Sequence, residues 1–215
     1  MPQSAKQEKK PVIVFGASGH AKVVIDVLEN QGRYEVACLI DDNPSIKGQN
    51  IYGYRVTGGK AGLTAKGCGD CLIAIGDNRV RQEIAAWVEL KGFKLARAVV
   101  HPSCQLARGV TIGDGSVAMA GSVVNSDSVI GKNTIINTGA TVDHDCRIGD
   151  SVHVAPGVTI CGGVLVGDLT LIGAGATIHP NVKIGKNVTV GAGATVLNDV
   201  EDNVSVVGTP AKVIK

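Results

Sequence analysis

Three stretches carry residue types that could do chemistry near neutral pH. The first is Thr141-Val142-Asp143-His144-Asp145-Cys146, a histidine with a carboxylate on each side. A carboxylate bonded to one imidazole nitrogen fixes the tautomer and makes the other nitrogen a better proton acceptor, as a general base requires. The second is Gly16-Ala17-Ser18-Gly19-His20. A glycine loop that opens a helix can offer bare N–H groups to a diphosphate. The third is polar and discontinuous: Asp41-Asp42, and Asp77-Asn78-Arg79. Each stretch also has a plainer reading. His144 could be a surface histidine among idle charges. The glycine loop lacks the third glycine of a full dinucleotide fingerprint and could be a bare βα turn. Asp41 and Asp42 could simply cap a turn.

What positions these groups is legible from periodicity. From Val100 to Val196 every sixth residue is Val, Ile or Leu, Ala118 excepted, for seventeen consecutive positions. A small or β-branched residue stands two places before most of them, and Gly often stands one place after (113, 131, 149, 167, 173, 185, 191). Such fixed-period self-similarity marks a hexapeptide β-helix. The aliphatic residue is expected to point inward and the small residue to fill the turn, with Gly accepting corner dihedrals. Three hexads would close an 18-residue triangular coil, stacked on the next by parallel ladder bonds about 4.8 Å apart. Stacking then puts Gly162 one coil above His144, so its N–H could meet the oxyanion of an acyl group held at that imidazole. Cys146 falls at the small turn position and is expected to point away from His144.

The first half of the chain reads differently. Val12 to Phe15 suits a buried strand, followed by the glycine loop and a helix with Val23, Val24, Val27 and Leu28 on one face, stopped by Asn30 and Gly32. Val36–Ile40 and Leu72–Ile75 read as further strands, Ile51–Val56 as an extended piece, and a second helix carries Val80, Ile84, Trp87 and Val88. Strands alternating with helices imply a small parallel Rossmann-like α/β domain, with ligands outside the carboxyl ends of the strands. All six aromatics lie before residue 94. We therefore expect a polar disordered tail over 1–10, a Rossmann-like domain over 11–98 and a β-helix over 99–215.

Among 215 residues, 21 are Lys or Arg and 19 are Asp or Glu, interspersed, so no basic patch speaks for nucleic acid or an anionic membrane. The first ten residues have no apolar core and no apolar run approaches a membrane span, which implies a cytoplasmic chain with reduced thiols. Cys68-Gly-Asp-Cys71 is a lone C-x-x-C leading into a strand, read as structural. His144 and His153 are half a coil apart and no His-x4-His pair accompanies them, so no metal is expected.

Taken together, Gly16-Ala-Ser-Gly-His-Ala-Lys-Val, Ile40-Asp-Asp, Ala74-Ile-Gly-Asp-Asn-Arg, Ile136-Asn-Thr-Gly-Ala, Val142-Asp-His-Asp-Cys and Gly208-Thr-Pro-Ala-Lys resemble one family over nearly the whole chain. It is that of bacterial sugar O- and N-acetyltransferases related to sialic acid O-acetyltransferases. The likeness is greatest to enzymes that N-acetylate nucleotide-linked 4-amino sugars, of UDP-bacillosamine-pathway or GDP-perosamine type. The resemblance implies a left-handed β-helix, a homotrimer with sites between protomers, and acetyl-CoA in the groove between prisms, passing Ala174 and Ala192. It implies that the loop of Gly16, Ser18, Gly19 and His20 meets the phosphates. Asp41 and Asp42 would lie near the base, with Asn78 in the same ligand site, and Asn137 would contact the sugar. It further implies that His144 and Asp145 are the catalytic pair, that Gly162 donates to the thioester carbonyl, and that the neighbour's His153 lies near the cofactor. The Asp41-Asp42 pattern looks more like that of the UDP enzymes. An O-acetyltransferase acting on sialic acid, and a non-catalytic nucleotide-sugar sensor, are the other readings.

Overall fold

The computed structural model describes residues 8–63 and 69–215. Its first part is a four-stranded parallel sheet ordered β2-β1-β5-β6, from β1 (Lys10–Phe15), β2 (Tyr34–Ile40), β5 (Asp70–Ile73) and β6 (Lys94–Leu95). Helices α1 (Gly19–Gln31) and α2 (Asn78–Leu90) form the crossovers. The expected extended piece at 51–56 is a hairpin, β3 (Asn50–Ile51) against β4 (Tyr54–Arg55). Lys10 belongs to β1, paired with Tyr34, so the ordered sheet begins inside the stretch expected as a tail; residues 1–7 of that tail lie outside the described residues. Cys68 also lies outside them, while Cys71 is buried in β5.

Gly16 shows why the chain must turn where it does. Its φ is +108°, and a Cβ there would stand 2.6 Å from the Ala74 carbonyl oxygen. Only glycine lets the end of β1 run so close beside β5. The α1 face was expected to include Val23, which is exposed; Ala21, Val24, Ile25, Val27 and Leu28 are the buried set. On α2, Val80 is likewise exposed, and the buried stripe is Arg81, Ile84, Ala85 and Val88. An arginine thus holds the place that apolar patterning gave to a valine.

From Val99 onward the chain is a three-sided β-solenoid of two-residue strands. Register advances by eighteen per rung up to Thr189: Val117 pairs with Val99 and Ile135, Ile135 with His153, His153 with Leu171, and Leu171 with Thr189; the last turn is shorter, Thr189 pairing with Ser205, sixteen residues on. One face carries an eight-stranded sheet, the others six and five strands. The sixfold aliphatic positions are buried from Ala118 upward, but Leu106, in the lowest coil, is 43% exposed because no rung lies beneath it.

The corner glycines do a different job from the one expected. Left-handed φ values occur three residues after every sixfold residue from Leu106 to Val190, at Gly139, Gly157 and Gly175 among the glycines, and also at Asp127, Asn133, Asp145, Ser151, Leu169, Asn181 and Asn187. Asn and Asp tolerate that region through local hydrogen bonding. The glycines one place after the aliphatic residue have ordinary φ; a Cβ on Gly167 would stand 2.6 Å from the Gly185 carbonyl carbon, and one on Gly173 2.6 Å from the Ala192 nitrogen. They admit the next coil, not a strained dihedral.

The α/β part rests on the lower coils of the first face. Val99, Val117, Met119 and Ile135 share one core with Val24, Val27, Leu28 and Leu72. Burying each large side chain of that seam is worth about 1.5–3 kcal/mol.

Candidate active site

His144 stands at the turn between Thr141–Val142 and Arg147–Ile148. Asp145 follows with φ +59°, and this left-handed turn swings its carboxylate back so that Oδ2 lies 2.8 Å from His144 Nδ1. The His144 amide donates to Asp143 Oδ1 at 2.9 Å, and Asn125 Nδ2 donates to the same oxygen at 3.0 Å. The Asp145 hydrogen bond, then the Asp143 charge, hold the imidazole above its ordinary pKa; the His144 amide and Asn125 hold Asp143 below its own. One coil up, a Cβ on Gly162 would be 2.7 Å from both Cε1 and Nε2 of the ring. Glycine there is what leaves room for the imidazole. The Gly162 carbonyl accepts from Asn181, while its N–H has no acceptor among the described residues. The Cys146 thiol is buried and directed at the Cys161 carbonyl, 3.2 Å away. The ring itself is 61% exposed, so this chain alone leaves the base open to water.

A second cluster lies where the α/β part meets the first solenoid face. His153 projects sideways from its rung, with Nε2 3.1 Å from Asn137 Nδ2 and Nδ1 3.3 Å from the Gly76 oxygen. The His20 ring stands 6.3 Å away, centroid to centroid, and its Nε2 is buried with no partner among the described residues. Burial, with the Arg81 guanidinium nearby, pushes His20 and His153 down to about 4. Both rings are neutral at physiological pH. Gly76, Asp77, Asn78, Arg79, His153 and Leu171 line a cleft of about 330 Å³ along this face.

Not every anticipated ligand residue is free to serve. Asn78 donates both amide hydrogens to the Leu169 and Thr170 carbonyls, and its oxygen accepts from Arg81. Its side chain clamps the two parts of the chain together, while the residue lines the cleft beside His153. Asp41 accepts from the amides of Ala17 and Asn43, so it shapes the glycine loop. Asp42 holds the Lys60 amide at 2.8 Å. Ser18 precedes α1 without a side-chain capping bond, and Gly19 opens the helix, leaving that loop's polar surface accessible. Ala174 and Ala192 are exposed at the corner following the first face. Among the described residues no three His, Cys, Asp or Glu side chains converge on a metal-sized site.

Arg81 was not anticipated. It is 1% exposed and every guanidinium N–H has an acceptor. The one signal was its place three residues before Ile84 and seven before Val88, on the apolar stripe.

Both parts of the chain match known proteins. Residues 11–88 match the PglD N-terminal domain, and 127–162, 145–179 and 163–198 match the bacterial transferase hexapeptide (six repeats). Perosamine N-acetyltransferase from Caulobacter crescentus, solved with CoA and GDP-perosamine, is 40% identical, over 95% of this chain and 97% of that one, with a TM-score of 0.90. The acetyltransferase domain of PglB from Neisseria gonorrhoeae, solved with acetyl coenzyme A, is 35% identical, over 96% of this chain and all of that one, TM-score 0.87. WeeI from Acinetobacter baumannii is 32% identical over 96% of this chain, TM-score 0.86. An uncharacterized protein of Acanthamoeba polyphaga mimivirus is 35% identical over 122 residues; the match covers 55% of this chain and about a quarter (24%) of that protein.

Proposed function

The chain belongs to the hexapeptide-repeat sugar N-acetyltransferases, and we propose that it moves acetyl from acetyl-CoA to the C4 amine of a nucleoside-diphosphate-linked 4-amino-4,6-dideoxy sugar. The observation that carries the reading is the His144–Asp145 pair with the bare Gly162 amide one coil above it. His144 Nε2 takes a proton from the sugar amine as its nitrogen attacks the thioester carbonyl. The tetrahedral oxyanion is held by the Gly162 N–H. The C–S bond then breaks, and the CoA thiolate leaves and takes up a proton. The attack is direct, without an acyl-enzyme; Cys146, two residues from His144, is buried with its thiol turned to the Cys161 carbonyl.

The α/β part would hold the nucleotide, with the Gly16–His20 loop at the phosphates and Asn137 at the sugar. CoA would run past Ala174 and Ala192 in a groove completed by a neighbouring protomer of a homotrimer. That neighbour would also cover the exposed His144 ring. The expectation of UDP rested on Asp41 and Asp42. Both oxygens of Asp41 are engaged by backbone amides, which weakens that support. The 40% identity to the perosamine enzyme makes a GDP-linked sugar the first acceptor to try.

The test is release of free CoA thiol with GDP- and UDP-linked 4-amino sugars and with free sialic acid. A nucleotide amino sugar should be the substrate. His144→Ala should lower turnover by about 10²- to 10⁴-fold with nucleotide-sugar affinity nearly unchanged. Transfer only to sialic acid, or near-normal turnover in the variant, removes the proposal.

A further inference from the structure

Arg81 is a full charge buried between two parts of one chain with no carboxylate in hydrogen-bond contact, an arrangement that is costly unless every donor is met. Nε donates to the Asn133 carbonyl at 2.8 Å, Nη1 to those of Ile75 (3.1 Å) and Gly76 (3.0 Å), and Nη2 to Asn78 Oδ1 (2.7 Å) and the Ser151 carbonyl (2.9 Å). One of these acceptors is shared. The Gly76 oxygen, already bonded to Arg81, also faces His153 Nδ1.

A carbonyl oxygen only accepts, so Nδ1 must carry the ring proton and Nε2 must be bare. Bare Nε2 can take a hydrogen from the Asn137 amide at 3.1 Å, while the Asn137 oxygen accepts from the Thr138 amide at 2.8 Å. The amide is thereby oriented from both ends, and one N–H remains to point elsewhere. We propose that Arg81 is a positioning residue for acetyl transfer: through the Gly76 carbonyl it fixes the proton of His153 on Nδ1 and so aims the free amide N–H of Asn137 at the sugar. The inference rests on the proposed acceptor only in its last clause; the relay from Arg81 to Asn137 stands on geometry alone.

A protonated His153 would break the relay. It would set a second cation against the same carbonyl and turn a donor toward the Asn137 NH₂ group. Burial and the Arg81 cation oppose that form. Arg81 faces it from α2 and His20 from α1, with Asp77 and Arg79 at the mouth of the same cleft; its rung neighbours Ile135 and Leu171 cannot titrate. Asp77, the only anion of the set, is occupied in accepting from the Val80 amide. Burial and Arg81 already hold His153 down at about 4.

Imidazole ¹⁵N spectra of the full chain in its native assembly test this, with His153→Asn identifying the signal. In the wild type, His153 should be neutral and protonated on Nδ1 near pH 6. Arg81→Met should raise its midpoint by about 1–2 pH units and mix the tautomers. The KM for the nucleotide sugar should rise below the new midpoint and recover above it. Arg81→Lys, which keeps the charge, should keep the low midpoint. An Nε2-protonated His153 in the wild type overturns the proposal, and needs no variant to fold. So does an Arg81→Met protein with the wild-type midpoint and tautomer. A chain that shows these spectra but transfers no acetyl group would sink the proposed function and leave the relay standing.

Discussion

Neutral imidazole is the working form of a general base, so the partners that raise the His144 pKa set the acidic edge of activity. His144 lies above its ordinary 6.5, chiefly through Asp145. It is therefore protonated and idle at low pH, and kcat/KM should climb as pH passes its raised value. Asp145→Asn removes the first cause, so the acid limb should move to lower pH while the plateau falls, read from a kcat/KM profile between about pH 5 and about pH 9. An unmoved limb would mean that another group titrates there. His144 was legible in the sequence because its neighbours are carboxylates and because counting eighteen places Gly162 over its ring. Arg81 was not, since its meaning depends on carbonyls contributed by residues 75, 76, 133 and 151, which no local pattern brings together. The clamp made by the Asn78 side chain was hidden for the same reason, since the Leu169 and Thr170 carbonyls it meets lie some ninety residues on.

At the scale of the coil, two kinds of corner glycine should respond differently to a methyl group. A Cβ at Gly167 meets the Gly185 backbone at 2.6 Å, so Gly167→Ala must push two coils apart and should cost about 1–3 kcal/mol. Gly139 has open space around it and only a φ of +66°, so Gly139→Ala should cost about 1 kcal/mol, and Gly139→Asn less, since asparagine already takes the equivalent turn position at the other two corners, at 133, 181 and 187. Thermal melts of the three variants rank them; equal losses would overturn the distinction. The hexad showed the period, the inward residues and the coil length. It did not separate dihedral from clearance, because both demands select glycine and only coordinates show which one applies. The helices were placed by their apolar stripes with one residue wrong in each: Val23 because adjacent Val24 leaves the centre of the stripe ambiguous by one position, and Val80 because the buried place beside it is held by a charged residue, Arg81.

For the whole molecule, the central fact is that His144 and His153 occupy different parts of the prism, one at an open corner and one under the α/β part. If a trimer brings the first of one protomer to the second of its neighbour, two inactive variants should rescue each other. Mixed assemblies of His144→Ala and His153→Ala chains, unfolded and refolded together, should regain about a quarter of wild-type turnover, as random pairing across a cyclic interface requires. No regain would place the whole site within one protomer. The order of the two parts was legible from the aromatic residues ending at Phe93, but a contact between copies leaves no period in a single sequence. The advance of eighteen per rung from Val99 to Thr189 also makes chain length a matter of phase. Losing six residues above Gly162 would turn everything beyond by one side of the triangle and send Ala174 and Ala192 to another groove. Losing eighteen would keep every later side chain on its own side and merely lower the top by one step, so below the short last turn, where Thr189 meets Ser205 sixteen residues on, this half of the protein can be trimmed or lengthened without loss of phase only in whole turns.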